Sequence, residues 1–321
     1  MSTQQLETDD PFDIDDSPQH AVATAHGRYY DDPANPGRLL VSVTNVLNQL
    51  AIEALAPAAA KVTAEWFAEH LPEAIRAASD PDELTEFVRQ AKAAYKEQWE
   101  KRRELGSRIH RQARAINLGG APIAPDAEAE PFVGSYRRWL ADFGVDIDRD
   151  VIAAECTMLH RELGYAGTSD LWVILRFDGP TSPLVPRFKP RKLPPTPLPT
   201  PSGLWLVDIK TSLKHPASTV WEDYPLQLAA LRRAPVALVC PPQCRYGATE
   251  YHDAGHEIPT PPFVATAILN LRTTGYGFIP LESGDTAFAA FRGLQPVTDY
   301  VHHLDLRPFK PIQPPTRKEA S

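Results

Sequence analysis

The chain has 321 residues, 43% of them hydrophobic, which is enough for a buried core in one large domain or two modest ones. Its formal net charge is -8, its three cysteines (Cys156, Cys240, Cys244) are too few for a disulfide framework or a structural zinc, and no apolar run reaches the roughly 18 residues of a membrane span. These features exclude a disulfide-stapled secreted scaffold and a helical membrane protein; with an N-terminus too acidic for a signal peptide, they predict a soluble cytoplasmic protein with free thiols.

Residues 1–34 hold eight acids against Arg28, a net of -7, while the remainder carries 32 basic and 33 acidic residues. With no apolar period, residues 1–36 are expected to be a disordered acidic tail. Leu39 to Leu47 predicts a short extended segment with Ser42 or Thr44 capping the helix that follows. Alanine-rich stretches at 45–70, 73–79 and 81–117 carry apolar residues at helical spacing, as in Leu84, Phe87, Val88, Ala91, Tyr95 and Trp99. Lys101, Arg102, Arg103, Arg108, Arg111 and Arg114 cluster near the end of this helical region, 37–145. They read either as contacts to a polyanion or as a solvated charged face.

A loop at 120–131 leads to a helix at 132–143 whose Phe132, Tyr136 and Trp139 belong in the core. Strands follow at 151–160, which carries Glu155, and at 167–177, which carries Asp170. Residues 180–201 contain nine prolines, which cannot pair in a sheet, so 179–203 is expected to be a projecting insertion bearing Arg187, Lys189, Arg191 and Lys192. The strand 203–211 precedes a helix at 218–233 with Tyr224 and Gln227. Strands at 235–240 and 248–252 complete a catalytic core of 146–260. Closing helices at 263–273 and 285–303, within 261–306, precede a mobile tail, 307–321.

The most informative motif is Asp208-Ile209-Lys210, led in by Leu206 and Val207. On a strand, side chains alternate, so the carboxylate and the ammonium share one face. With Asp170 on a neighbouring strand, two acids hold Mg²⁺ or Mn²⁺ beside a lysine that orients water, the requirement for phosphodiester hydrolysis. The competing reading is a surface ion pair on an edge strand, but the hydrophobic neighbours on both sides point to a central strand.

The order Gly167-Thr168-Ser169-Asp170, then Val207-Asp208-Ile209-Lys210-Thr211-Ser212, then Tyr224-Pro225-Leu226-Gln227-Leu228 resembles the PD-(D/E)XK nuclease superfamily. Within it the likeness is to the RecB-like exonucleases, including CRISPR-associated and phage recombination members, over roughly residues 100–255. The resemblance implies an α/β, restriction-endonuclease-like mixed central sheet flanked by helices, with a helical N-terminal region, in a single nuclease domain at 37–306. It implies a metal-dependent DNA exonuclease of phage or prophage recombination, repair or DNA processing. The implied metal ligands are His110 (four residues after Gly106), Asp170, Asp208 and the Ile209 backbone carbonyl. Catalysis falls to Asp170, Asp208 and Lys210, with Glu155, Gln227 and Tyr224 supporting the site or touching DNA. The three cysteines do not match the four that ligate the family's iron-sulfur cluster. A tight hairpin usual in the family is replaced by the proline-rich insertion, and Leu231 stands where an aromatic is frequent. DNA is the implied partner, with a single-strand annealing or recombination protein beside it. No Gly-x-x-x-x-Gly-Lys-Ser/Thr loop occurs, so any motor is another chain. The rival class is a catalytically silent nuclease fold serving DNA binding or assembly, and digestion polarity and oligomeric state are not encoded in any motif.

Overall fold

The computed structural model describes residues 18, 20–50, 55–119, 126–177, 200–239 and 256–303. The described chain begins with a hairpin, β1 (Ala21–Thr24) and β2 (Gly27–Asp31), then β3 (Leu39–Ser42) and a short helix α1 (Val43–Leu47). Helices α2 (Leu55–Glu69), α3 (Leu71–Ala77), α4 (Pro81–Asn117), α5 (Glu130–Asp142) and α6 (Ile147–Asp150) follow. Next come β4 (Val151–His160), β5 (Tyr165–Leu175), β6 (Gly203–Thr211), α7 (Asp223–Arg233), β7 (Val236–Val239) and β8 (His256–Pro259). A hairpin, β9 (Ala265–Arg272) and β10 (Gly275–Leu281), and the helix α8 (Asp285–His303) close it.

This is the expected α/β architecture, a mixed sheet flanked by helices. The strands run β1-β2-β3-β5-β4-β7-β8, and a branch leaves β5 through β6 and β9 to β10. Two pairings, β3 with β5 and β6 with β9, are parallel. Within the branch, β6 and β9 are buried on both faces. Trp205, Val207 and Ile209 of β6 pack with Phe132, Tyr136 and Trp139 of α5 and with Ile109 of α4. Leu204 and Leu206 face α7 and α8 through Leu228, Leu231 and Phe291 on the other side. Each of these large side chains, where fully buried, contributes about 1.5–3 kcal/mol from removal of apolar surface from water.

Local chemistry explains the element boundaries that matter to the site. Ser42 caps α1 by accepting a hydrogen bond from the Asn45 amide at 3.0 Å. Asp80 caps α4 by accepting from the amides of Asp82 (2.8 Å) and Glu83 (3.3 Å), with Pro81 in the first turn. At 37 residues α4 spans about 55 Å, and it does two jobs. Phe87, Ala91 and Ala94 are buried in its first half, where α2 and α3 pack, while Leu105, Ile109 and Ala113 press its second half on α5 and the sheet. Leu84 and Val88, taken as part of the apolar stripe, are 40% and 39% exposed.

Two expectations are corrected. Residues 21–24 and 27–31 are paired strands rather than disordered tail, and Asp32 is fully buried, accepting from Arg161 Nε at 2.8 Å. A four-residue strand beside a charged turn carries too little apolar periodicity to register. Residues 265–272, expected as a helix, form β9, and 275–281 add β10, so 261–306 closes with a hairpin and one helix. Because β9 is covered on both faces its sequence is a continuous apolar run, which periodicity does not separate from a buried helix. The short extended segment expected from Leu39 is β3, within the region 37–145. Most of the proline-rich insertion with its four basic residues, Cys240 and Cys244, the expected strand at 248–252 and the tail at 307–321 lie outside the described residues.

Candidate metal and phosphodiester site

The sheet forks where the acids sit. The β5–β6 ladder ends at Leu171↔Val207. Beyond it β6 stays with β9 (Asp208↔Ile268, Lys210↔Asn270), while β5 goes with β4 and β3. Asp170 and Asp208 would form the next pair and instead line the crotch. There the Ile209 amide donates to Asp170 Oδ2 at 2.6 Å, a side chain replacing the lost ladder acceptor.

Glu155 joins them by a backbone irregularity. Its φ is +51°, a left-handed conformation that costs a non-glycine residue about 1–2 kcal/mol. Neighbouring pairs Ala154↔Leu171 and Cys156↔Ser169 flank it, opposite Asp170. Face alternation slips by one residue here in both strands. Ala153, Cys156 and Met158 share one core cluster, as do Tyr165 and Trp172, which no strict period of two permits. The slip re-aims two carboxylates toward α4. Gly167 permits the close approach on the other side, because a Cβ there would lie 2.9 Å from Leu231 and 3.0 Å from Val43.

From α4, His110 Nδ1 reaches Glu155 Oε1 at 3.5 Å and Asp170 Oδ1 at 3.6 Å. One donor atom from each of His110, Glu155 and Asp170 fits within 4.8 Å of the others, so the three could hold a metal ion. Asp208, 2% exposed, lies alongside: its Oδ1 accepts from Gln227 Nε2 at 2.8 Å, and its Oδ2 is 2.9 Å from Lys210 Nζ in an ion pair without a directed hydrogen bond. Lys210 Nζ donates to Gln227 Oε1 at 3.0 Å and lies 5.1 Å from the Tyr224 ring centroid. Gln227 therefore bridges the two ends of the Asp-x-Lys motif. Ile209 buries its side chain in the opposite core, and the residue still lines the cavity.

The electrostatics are those of a site with too much negative charge. Burial pushes the Asp170 carboxyl up, His110 opposes this, and Asp208 and Glu155 add to it. Burial disfavours a charged His110, yet Asp170, Glu155 and Asp208 outweigh it and raise its pKa to about 9. Lys210 is likewise raised, as Asp208 and Asp170 overcome the cost of burial, so it stays an ammonium. Burial pushes the Tyr224 phenol up to about 12, leaving a neutral ring beside it. One donor atom each from His110, Glu155 and Asp170, with Asp208 adding negative charge alongside, fits a divalent cation.

A cavity of about 490 Å³ opens over this group. Of the basic cluster of α4, Arg102, Arg103, Arg111 and Arg114 line the cavity, Arg102 donating to Gln98 and Arg103 pairing with Glu100, while Lys101 pairs with Glu97 and Arg108 with Asp126 and Glu128 away from it. Sequence reasoning missed Arg28 and Tyr30 on β2, which form another part of the wall. Tyr30 Oη is 2.9 Å from Thr168 Oγ1, and Asn45 Nδ2 holds the carbonyls of His26 (3.0 Å) and Arg28 (2.8 Å). A Tyr-Tyr pair flanked by polar residues in an acidic segment was the available signal, and the low local hydrophobicity masked it.

No protein-family model matches the chain, and no curated protein matches it. Among the described residues no helix is long and apolar enough to cross a membrane.

Proposed function

We propose that this protein is a divalent-metal-dependent deoxyribonuclease of the PD-(D/E)XK, RecB-like type, hydrolysing DNA phosphodiester bonds as an exonuclease in phage or prophage recombination, repair or DNA processing in the cytoplasm. The observation that carries this is the fork, where His110, Glu155 and Asp170 converge within 4.8 Å beside the Asp208–Lys210 pair. Mg²⁺ or Mn²⁺, held by His110, Glu155, Asp170 and Asp208, would supply a water activated as nucleophile and a charge facing the scissile phosphate. The imidazole favours Mn²⁺.

The chain's own groups have separable parts. Lys210, held charged, is a donor to the attacking water and to a phosphate oxygen, not a base. Gln227 keeps Asp208 and Lys210 in register, and Tyr224 covers the ammonium. Arg28, Arg102, Arg111 and Arg114 lie where flanking phosphates would pass, supplying affinity without sequence choice. The test is digestion of end-labelled linear duplex, single strand and covalently closed circle with Mn²⁺, Mg²⁺ or EDTA, by the native protein and Lys210→Ala. Metal-dependent loss of linear DNA that disappears in the variant, with the circle spared, is the expected result. DNA binding with no cleavage under either metal would leave a binding or assembly module instead.

A further inference from the structure

A second cavity of about 140 Å³ lies beside the first, the two sharing Arg102 and Thr211 in their walls. Its apolar lining is Leu105 of α4, Phe132 of α5 and Leu213; Arg102, Lys214 and His215 complete it. Leu213, Lys214 and His215 belong to the loop that leaves the Lys210 strand.

That loop is fixed from beneath by polar side chains of β9. Asn270, 1% exposed, donates through Nδ2 to the carbonyls of Ala217 at 2.8 Å and Thr219 at 2.7 Å. Arg272, 9% exposed, donates to the carbonyls of His215 at 2.5 Å and Pro216 at 2.9 Å. Ser212 Oγ accepts from the amides of Lys214 (3.2 Å) and His215 (3.1 Å). Gly277 of β10 leaves room for the Ala217 carbonyl, where any Cβ would collide with it. Trp221 meets the His215 ring edge-on at 5.3 Å between centroids. Burying an amide and a guanidinium to immobilise a surface loop carries a desolvation cost, offset by these carbonyls, and the outcome is a pre-set display of outward side chains. Leu213 is 62% exposed at this fixed position.

We propose that this second cavity is a subsite for one unpaired nucleotide of the strand being cut, its base against the exposed Leu213 over a floor closed by the buried Leu105 and Phe132, and its phosphate toward Arg102 and Lys214. The inference rests on the nuclease reading and deepens it, because a base still paired in a duplex cannot enter so small a cavity. The preferred substrate is therefore a single strand or a frayed end, held by apolar contact with Leu213 and by cationic contacts that do not depend on sequence.

The experiment uses a short single-stranded oligonucleotide carrying 2-aminopurine, whose fluorescence rises when the base leaves its stack, titrated into the full-length protein in EDTA. A matching blunt duplex is the comparison. The native protein should raise the fluorescence of the single strand. Leu213→Asp should remove that rise and weaken single-strand binding about tenfold, with duplex affinity and the melting curve unchanged. Lys214→Ala, which removes a cation assigned to the phosphate, carries the same test should Leu213→Asp not fold. Unchanged single-strand affinity and fluorescence in both variants, or an equal loss on the duplex, would overturn the subsite. Cleavage is scored separately with Mn²⁺: absence of turnover in the native protein defeats the nuclease reading, while the binding and fluorescence arms still decide the subsite.

Discussion

Asp150 and Asp170 are both withdrawn from solvent, at 1% and 9% exposure, and their surroundings differ in kind. Asp150 receives Arg149 through Nε at 2.9 Å and Nη2 at 2.8 Å, a contact from Arg176, and the Asp146 amide at 3.0 Å. Hydrogen bonding from Arg149, against burial and aided by Arg176, holds its carboxyl well below the usual range. Asp170 has one backbone donor and shares its pocket with Glu155 and Asp208, and its burial, with those two acids adding to it against His110, pushes its carboxyl up. A carboxylate serving the fold is saturated with donors; one poised for an incoming cation is surrounded by its own sign and left with lone pairs open.

The largest expected effect separates activity from stability at the fork. Asp170→Asn and Lys210→Ala should each lower cleavage by about a thousandfold or more. In EDTA, Asp170→Asn should melt higher than the native protein, because it removes repulsion and keeps an oxygen for the Ile209 amide. A lower melting temperature would put Asp170 in the same structural class as Asp150. Next in size, Mn²⁺ at about a hundred times its dissociation constant should stabilise the native protein by about 2.7 kcal/mol, read as a melting shift. His110→Ala should show much less of it, and a native protein indifferent to the ion would break the comparison outright.

Asp150→Asn should do the reverse of the fork variants, costing about 1–3 kcal/mol in denaturant unfolding while cleavage is kept. The smallest effect is its pH dependence. Since the folded pKa of Asp150 is depressed, its contribution is fully present above the unfolded value of about 3.9 and is lost as pH falls through the folded one. The stability gap between native and Asp150→Asn proteins should therefore narrow in acid below about pH 4. A gap that stays constant down to acid unfolding would mean that the guanidinium contacts are not what stabilises this carboxylate.

Much of this molecule was legible from local pattern alone. The β6 limits at 203 and 211, the helix from 81 to 117 and the strand at 151–160 are all where the sequence puts them, and Ser42 is the cap of the two, Ser42 or Thr44, that it offered, because capping, periodicity and chain reversal are decided within a few residues. The sharing of a face by Asp208 and Lys210 follows from strand geometry, and their 2.9 Å pairing agrees with it. Tertiary structure alone decided the rest. It turned an acidic, weakly apolar segment into the hairpin that brings Arg28 and Tyr30 to the cavity, and it placed β9 between two helical layers where periodicity is silent. It also brought Glu155 beside His110, from 45 positions away, through a left-handed backbone and a coincident slip in two strands. Local sequence sets which dihedrals are cheap, but which strands separate at a fork, and which carboxylates then face one another, depends on pairings between distant segments whose energy no local window contains.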